Sequence, residues 1–158
     1  MAFKYDDYMT PRSAWENIQQ YIPKDKVIWE AFYGDGKSAE YLRDLGFQVI
    51  HDPEDDFFVE SKGDIIVSNP PFSKKKEVLT RLKELDKPFI MIMPVSTLTT
   101  QYLRKLFKDI QIIIPRKRIH FDKKVDGVSV FERSNCYFDC FYYCYKMNLP
   151  RDIVFLQV

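Results

Sequence analysis

The sequence has little glycine, histidine or cysteine: five, two and three residues respectively in a chain of 158. Its longest apolar run, residues 89–95, is too short for a helix that spans a bilayer, which needs about 20 residues. The first residues contain no apolar stretch of the kind found in secretory signal peptides. We therefore expect an intracellular, cytoplasmic and soluble protein that does not act at a membrane.

The three cysteines, Cys136, Cys140 and Cys144, have a regular spacing that could suit a metal site. A structural zinc site usually takes four ligands, and no histidine or further cysteine lies near them in the sequence. An odd cysteine count without a signal peptide also argues against disulfides. We interpret these residues as free thiols packed in a core strand, and we predict no metal site.

The net charge is only +1, so the protein as a whole is neither strongly basic nor strongly acidic. The charges are nevertheless unevenly distributed. Residues 104–124 contain eight lysines or arginines against two aspartates, and residues 52–56 contain four acids in five positions. Aromatic residues make up 16% of the chain. This pattern predicts a local surface that faces anions, with aromatic rings available for stacking.

Apolar runs of strand length alternate along the chain with runs of helical periodicity. Strands are predicted at 27–32, 47–52, 64–68, 88–94, 110–115 and 137–147, with a short one within 152–158. Helices are predicted from Pro11, with Thr10 as N-cap and Pro11 at the first helical position, and at 36–46 (ended by Gly46), 73–86 and 96–109. This alternation predicts a single α/β domain over residues 1–158, with a mostly parallel sheet and helices on both faces.

Ligands of such sheets bind beyond the carboxyl ends of the strands. After the first predicted strand, Gly34 and Gly36 precede a helix, where glycines allow a ligand to approach the backbone closely; an ordinary tight turn is the alternative. After the second strand, Asp52 is the candidate acceptor for ribose hydroxyls, with His51 and Glu54 as rivals and a solvated acidic loop as the alternative.

The segment Asn69-Pro70-Pro71-Phe72, called here the NPPF turn, follows a strand of β-branched residues. Proline lacks a backbone N–H, so the two prolines end that strand and stiffen the turn. The Asn69 Oδ1 atom and the Pro70 carbonyl are two acceptors for the hydrogens of a planar amino group, which would expose its lone pair. Phe72 offers a ring on which a base can stack. This combination indicates methyl transfer to an exocyclic amine.

With these motifs the chain resembles class I S-adenosylmethionine-dependent methyltransferases of the adenine-N6 type, over roughly residues 8–147. Their fold implies a Rossmann-like, mostly parallel sheet with helices on both faces and an antiparallel C-terminal strand. The resemblance implies S-adenosyl-L-methionine as cofactor and a catalytic set of Asn69, Pro70, Pro71 and Phe72. The cofactor-binding residues that it implies are Tyr8, Thr10, Pro11, Glu30, Phe32, Gly34, Gly36, Asp52, Asp56, Phe57 and Asn69.

The sequence departs from the family pattern in two ways. Glu30 and Ala31 replace the usual Asp-Pro before the glycines, although a carboxylate remains to meet the cofactor's ammonium group. The chain also has no separate target-recognition domain; its longest irregular stretch, residues 121–137, is long enough for a hairpin or a flexible loop. Sequence specificity is therefore expected to be low, or to come from a partner subunit or a second copy of the chain.

Basic residues follow two of the predicted strands, where phosphates of a bound nucleic acid would lie. Lysines directly after the NPPF turn oppose the helix dipole there, which favours phosphate contact over a solvated helical turn. DNA is the expected partner ahead of RNA. Alternative readings are an RNA adenine or protein glutamine methyltransferase, or an inactive subunit of the same fold. The residues predicted to bind nucleic acid are Lys74, Lys75, Arg116, Lys117, Arg118 and His120.

Overall fold

The computed structural model describes residues 8–125, 128–130 and 139–157, and these form two β-sheets and four α-helices. The strands are β1 (Tyr8–Met9), β2 (Val27–Trp29), β3 (Gln48–Ile50), β4 (Ile65–Ser68), β5 (Phe89–Pro94), β6 (Gln111–Ile114), β7 (Asp122–Val125), β8 (Val128–Val130), β9 (Cys140–Tyr145) and β10 (Ile153–Phe155). The helices are α1 (Arg12–Glu16), α2 (Lys37–Asp44), α3 (Lys75–Leu85) and α4 (Gln101–Leu106). Short 3-10 turns occupy Gln19–Tyr21, Phe72–Lys74 and Val95–Thr99.

The larger sheet has seven strands in the order β10-β6-β9-β5-β4-β2-β3. Strand β9 runs antiparallel to its neighbours β5 and β6, and the other neighbouring pairs are parallel. Parallel neighbours need long crossover connections; α2 lies in the connection from β2 to β3 and α3 in that from β4 to β5, while α4 connects β5 to β6 on the far side of β9. The predicted mostly parallel sheet with an antiparallel strand near the C-terminus is therefore confirmed, and β10 adds a parallel edge strand after it.

Helices cover both faces of this sheet, as the sequence predicted. Helices α1 and α2 bury Trp15 and Leu42 against one face, and α3 and α4 bury Leu79 and Leu103 against the other. Every residue of the central strands β4 and β5 is buried, and apart from Ser68 at the end of β4 they are apolar without alternation. Fully burying one large apolar side chain stabilises a fold by about 1.5–3 kcal/mol. Most buried apolar side chains of the described residues lie in these two layers between sheet and helices.

Some predicted boundaries are corrected by the structure. Helix α1 begins at Arg12 with Pro11 at the N-cap position, so the predicted N-cap at Thr10 was wrong; Thr10 is buried instead. The first long strand ends at Trp29 and not at residue 32, because the chain leaves the sheet after the last residue that pairs with β3 and β4. Gly46 follows α2 with φ +97°, which ends the helix as predicted.

The second sheet was not predicted as such. Strand β1 pairs antiparallel with β7, which pairs antiparallel with β8, in the order β1-β7-β8. The sequence left residues 121–137 open between a hairpin and a loop, and β7 and β8 supply paired strands in the described part of that stretch. Strand β1 was missed because two residues are too few to show a periodicity.

The described cysteines, Cys140 and Cys144, are buried in β9, while Cys136 lies outside the described residues. Burial raises the pKa of Cys144 to about 12, so this side chain is a neutral thiol at physiological pH. Within the described ranges, no group of three or more histidine, cysteine, aspartate or glutamate residues is placed to hold a metal ion. In those same ranges, none of the helices has the length and apolarity needed to cross a bilayer.

Two tyrosine hydroxyls fix strand β9 to the elements on either side of it. The Tyr142 hydroxyl donates to the backbone oxygen of Ala14 at 2.6 Å, and the Tyr143 hydroxyl donates to that of Pro94 at 2.7 Å. The first bond ties the middle of the sheet to α1, and so holds the N-terminal segment that contains Thr10 and Pro11.

We expect Tyr142→Phe to lower the free energy of unfolding by about 1–3 kcal/mol, because the buried Ala14 oxygen loses its hydroxyl donor. Urea denaturation followed by far-UV circular dichroism measures the change. Tyr21→Phe, at a half-buried tyrosine that packs against the same apolar layer, is the control and should cost less than about 0.5 kcal/mol. Equal stability of the Tyr142 variant and the wild type would contradict this role.

Candidate active site

The candidate site lies at the edge of the sheet where β2, β3 and β4 end, with β4 extending two residues beyond the other two. These strands are parallel neighbours, and Trp29 at the end of β2 is level with Ile50 of β3 and Ile66 of β4. The residues that follow each strand are therefore adjacent in space although they are far apart in the sequence. The sequence predicted this edge as the ligand-binding edge.

Glu30 follows β2 directly, and its side chain is almost fully buried, with 2% of the residue exposed. Its Oε1 atom accepts hydrogen bonds from the Ser68 hydroxyl and, at 3.1 Å, from the backbone N–H of Phe32. Burial raises the pKa of Glu30 to about 8, although both hydrogen bonds oppose this shift by favouring the carboxylate. Glu30 is therefore largely protonated at neutral pH in the free protein.

The glycine loop, residues 30–36, leads from β2 into α2. Gly34 has φ +59° and Gly36 has φ +82°, and Gly36 is the N-cap of α2. A Cβ atom on Gly34 would lie 3.2 Å from the Met9 sulfur, and one on Gly36 would lie 3.1 Å from the Tyr33 hydroxyl oxygen. Both positions thus combine a left-handed backbone with close packing, which requires glycine.

The N-terminal residues predicted for the site lie beside this loop. Met9 of β1 contacts the Gly34 position, and the next residue, Thr10, is buried while Pro11 is half-buried. Only the backbone of Tyr8 belongs to the described part of the chain, where it is level with Lys123 of β7. The small sheet is therefore attached to the candidate site through the segment that β1 begins.

His51 follows β3 and packs against both Glu30 and the glycine loop. Its Nδ1 atom lies 2.9 Å from the Glu30 backbone oxygen, and its ring stacks on Tyr33 with centroids 4.5 Å apart and planes 6° apart. Since a carbonyl oxygen only accepts, Nδ1 carries the hydrogen. The buried Nε2 atom has no hydrogen-bond partner among the described residues, so it is available as a polar contact in the site.

The acidic loop, residues 52–62, follows His51 and is bonded to the underlying layer. Asp55 accepts from the Trp29 indole N–H at 3.1 Å and pairs with Lys62. Arg81 of α3 donates to the backbone oxygens of Phe57 and Glu60, both at 3.0 Å. Sequence reasoning missed these contacts; a tryptophan that ends a buried strand needs an acceptor for its N–H, but the sequence does not say which residue supplies it.

The residues predicted to contact the cofactor from the acidic loop fall into two groups. Asp52 and Asp56 are exposed, and they accept hydrogen bonds from the N–H groups of Glu54 and Phe58, both at 2.9 Å, within their own loop. Phe57 is 2% exposed, and its ring packs 4.9 Å from that of Phe32 in the glycine loop. The structure thus joins Phe57 to the glycine loop and leaves the two carboxylates at the surface.

The NPPF turn extends from the last residue of β4. Asn69 is half-buried, Pro70 is buried, and the Pro71 backbone oxygen accepts from Lys74 N–H at 3.0 Å, which closes the turn into α3. The Phe72 ring meets the Phe121 ring edge-on, with centroids 6.2 Å apart. Phe121 directly precedes β7, so the turn contacts the segment that leads into the small sheet.

The predicted basic residues occupy two segments of the same sheet edge. Lys74 and Lys75 are half-buried where α3 begins. In the basic segment, residues 116–120, Ile119 is buried and anchors the chain, and the charged side chains around it are exposed. Arg118 pairs with Asp139 at 2.9 Å, while Arg116, Lys117 and His120 face solvent. The exposed arginine and lysine side chains of the basic segment place positive charge on the surface beyond the end of β6.

The stability of the free protein should depend on the ionisation of Glu30. Because the folded state binds this proton more tightly than the unfolded chain, stability falls as the pH rises from the ordinary pKa of 4.5 through about 8. Glu30→Gln keeps the acceptor oxygen and removes the titration. We expect this variant to exceed the wild type in free energy of unfolding by on the order of 2–4 kcal/mol at pH 8 and by much less at pH 4.5.

Urea unfolding at the two pH values measures this difference. Glu40→Gln, at an exposed position on α2, is the control and should follow the wild type at both. A Glu30→Gln variant with the same pH dependence as the wild type would contradict the assignment of the titrating group.

Comparison with known proteins gives a family match that includes part of this edge. The family model for adenine-specific methyltransferase EcoRI matches residues 52–133, which include the acidic loop, the NPPF turn and the basic segment. The chain is 36% identical over 76 residues to the type II methyltransferase M.EcoRI of Escherichia coli; the match spans 48% of this chain and 22% of that protein. The matched segment of this chain thus covers less than a quarter of that relative.

The solved structure of the ribosomal protein L11 methylase from Lactobacillus delbrueckii subsp. bulgaricus has the same fold. It superposes with a TM-score of 0.51 and 15% identity, and the match covers 82% of this chain and 75% of that one. The Rossmann-like α/β fold expected from the resemblance is thereby confirmed. Because the family model covers more than half of the 158 residues, the chain belongs to the EcoRI adenine-specific methyltransferase family.

Proposed function

We propose that this chain transfers a methyl group from S-adenosyl-L-methionine to the exocyclic N6 amino group of adenine in DNA. The observation that carries the proposal is the position of the NPPF turn, directly after β4 and one strand away from Glu30 and the glycine loop. Membership of the adenine-specific methyltransferase family supports it. Since the match covers 22% of M.EcoRI, the activity of that whole protein comes to this chain only as part of this proposal.

The residues of the site fit S-adenosylmethionine. Gly34 and Gly36 give the glycine loop the left-handed backbone that a tight turn beside a ligand needs, and Glu30 is an acid that can pair with an ammonium group. Asp52 is exposed and can accept hydrogen bonds from ribose hydroxyls. When bound, the cofactor supplies a methyl group activated by a positively charged sulfur.

Asn69 and Pro70 would prepare the adenine for reaction. The lone pair of its amino nitrogen is delocalised into the ring, so the amine is a weak nucleophile. The Asn69 Oδ1 atom and the Pro70 backbone oxygen can accept its two hydrogens and favour a nitrogen whose lone pair is exposed. The amine becomes acidic once it is methylated, so its proton can pass to water without a strong base. Pro71 stiffens the turn and keeps both acceptors in place.

Phe72 would stack on the extruded base, a contact worth about 1–3 kcal/mol in comparable proteins. Its ring is held at one edge by Phe121. The basic side chains on either side of the turn, Lys74 and Lys75 in α3 and the residues of the basic segment, would contact the phosphates around that base.

The first experiment is transfer of a labelled methyl group from S-adenosylmethionine to duplex DNA, single-stranded DNA or RNA by the purified chain. We expect label on adenine N6 of DNA, and we expect Asn69→Ala to lower the rate by about 10²–10³-fold with little change in cofactor affinity, because it removes one acceptor of the amino group. Asn17→Ala, at an exposed position in the turn after α1, is the control.

A normal rate in the Asn69 variant would contradict the mechanism. Label on RNA alone would contradict DNA as the substrate and would show that the chain methylates RNA. Cofactor binding without transfer to any of the three nucleic acids would point to a missing partner subunit or to a protein amide as the acceptor.

Removing Arg116 and Lys117 together should weaken binding to DNA of any sequence. Each lost phosphate contact lowers the slope of log K against log salt by about 0.9 on duplex DNA. Lys105→Ala/Lys108→Ala is the matched control, because these exposed lysines precede β6 while the basic segment follows it. Fluorescence anisotropy over a range of salt concentrations measures both slopes. Equal slopes for the two double variants would contradict the assigned surface.

A further inference from the structure

Ser68 is a buried polar residue to which neither the sequence motifs nor the proposed chemistry gives a role. It is the last residue of β4, it is fully buried, and its hydroxyl donates to Oε1 of Glu30. The residue after it is Asn69. The Ser68 side chain therefore joins the acid at the end of β2 to the turn that holds the target amine.

The surroundings of the Glu30 carboxyl group act in opposite directions on its ionisation. Burial favours the neutral acid, and the hydrogen bonds from Ser68 and from the Phe32 N–H favour the carboxylate. The titratable neighbour from β3 is His51, which meets the backbone oxygen of Glu30 and not its carboxyl group. In the described part of the chain, no lysine or arginine forms an ion pair with Glu30.

We propose that Ser68 is a positioning residue of the cofactor site: it holds Glu30 so that the acid pairs, as a carboxylate, with the ammonium group of the cofactor. This inference rests on the proposed function, because the ammonium belongs to the methionine end of S-adenosylmethionine. Because Asn69 is the next residue after Ser68, this hydrogen bond ties Glu30 at the cofactor end of the site to the strand from which the NPPF turn extends.

Pairing with the ammonium requires Glu30 to lose a proton. In the free protein at pH 7 the group is mainly a carboxylic acid, because its pKa is about 8. The bound ammonium favours the carboxylate, so the carboxyl proton passes to the solvent while the ammonium keeps its own three hydrogens. Affinity for a ligand that carries the ammonium should therefore rise with pH up to about 8 and then level off.

Two ligands separate this effect from ordinary cofactor binding. S-adenosylhomocysteine carries the ammonium group, and 5′-methylthioadenosine has the same nucleoside without the amino acid. Titration calorimetry between pH 6 and 9, in buffers of different ionisation enthalpy, measures affinity and proton release together. For the wild type we expect release of close to one proton at pH 7 with the first ligand and none with the second. Glu30→Gln should abolish that release.

Ser68→Ala removes a hydrogen bond that favours the carboxylate. We expect the rise in affinity for S-adenosylhomocysteine to move to higher pH, with binding at pH 7 about tenfold weaker. Binding of 5′-methylthioadenosine should stay unchanged. Ser68→Cys, which keeps a weaker donor of similar size, should fall between the wild type and the alanine variant.

Three outcomes would overturn the inference. An equal loss of affinity for both ligands in Ser68→Ala would assign the serine a structural role only. Wild-type binding of S-adenosylhomocysteine without proton release would contradict the proposed pairing with Glu30. This measurement uses only the wild type, so it does not depend on whether a Ser68 variant folds. Failure of the wild type to bind either ligand would instead refute the proposed function, and with it the inference.

Discussion

The parallel pairing of β2 with both β3 and β4 is the constraint on which the candidate site depends. It brings the ends of the three strands to the same edge of the sheet, so that Glu30 contacts both His51 and Ser68 although they are far apart in the sequence. Burial of strands β4 and β5 on both faces holds this register, because a slip by one residue would turn each side chain toward the opposite helical layer. The polar contacts of the site refine a geometry that apolar packing has already set.

Helix α3 connects the two sides of the site. It begins at the NPPF turn, and its Arg81 holds the backbone of the acidic loop at Phe57 and Glu60. In the same loop, the Asp55 side chain is buried, and burial by itself would raise its pKa. The hydrogen bonds from Lys62 and Trp29 outweigh burial and leave the pKa of Asp55 below its usual range. The acidic loop is thus held by charge-assisted bonds, and a shift of α3 would affect both the loop and the turn.

The sequence predicted the elements whose patterns are local and long enough to read. The apolar runs of β4 and β5 marked central strands, and Pro70 and Pro71 marked the end of one of them, because proline cannot continue a parallel ladder. The glycine loop and the NPPF turn could be marked in the sequence because glycine and proline have backbone preferences that show without knowledge of the fold.

Contacts between distant segments could not be predicted in the same way. Ser68 was an ordinary strand residue until the pairing of β2 with β4 put Glu30 beside it. The bonds of Arg81 to the acidic loop depend on the way α3 packs, which one sequence does not specify. Strand β1 contains two residues and exists because β7 is there to pair with it, so it leaves no periodic pattern.

The burial of Glu30 lowers the stability of the folded protein at neutral and higher pH. A buried acid without a partner cation destabilises the folded state as the pH rises, and leucine or methionine at the same place would avoid that cost. The two donors at Oε1 limit the cost without removing it, so they keep the group close to ionisation at neutral pH. A site of this kind interacts weakly with water and strongly with an arriving cation. The destabilisation of the free protein and the proposed selectivity for an ammonium-bearing cofactor then have the same physical origin.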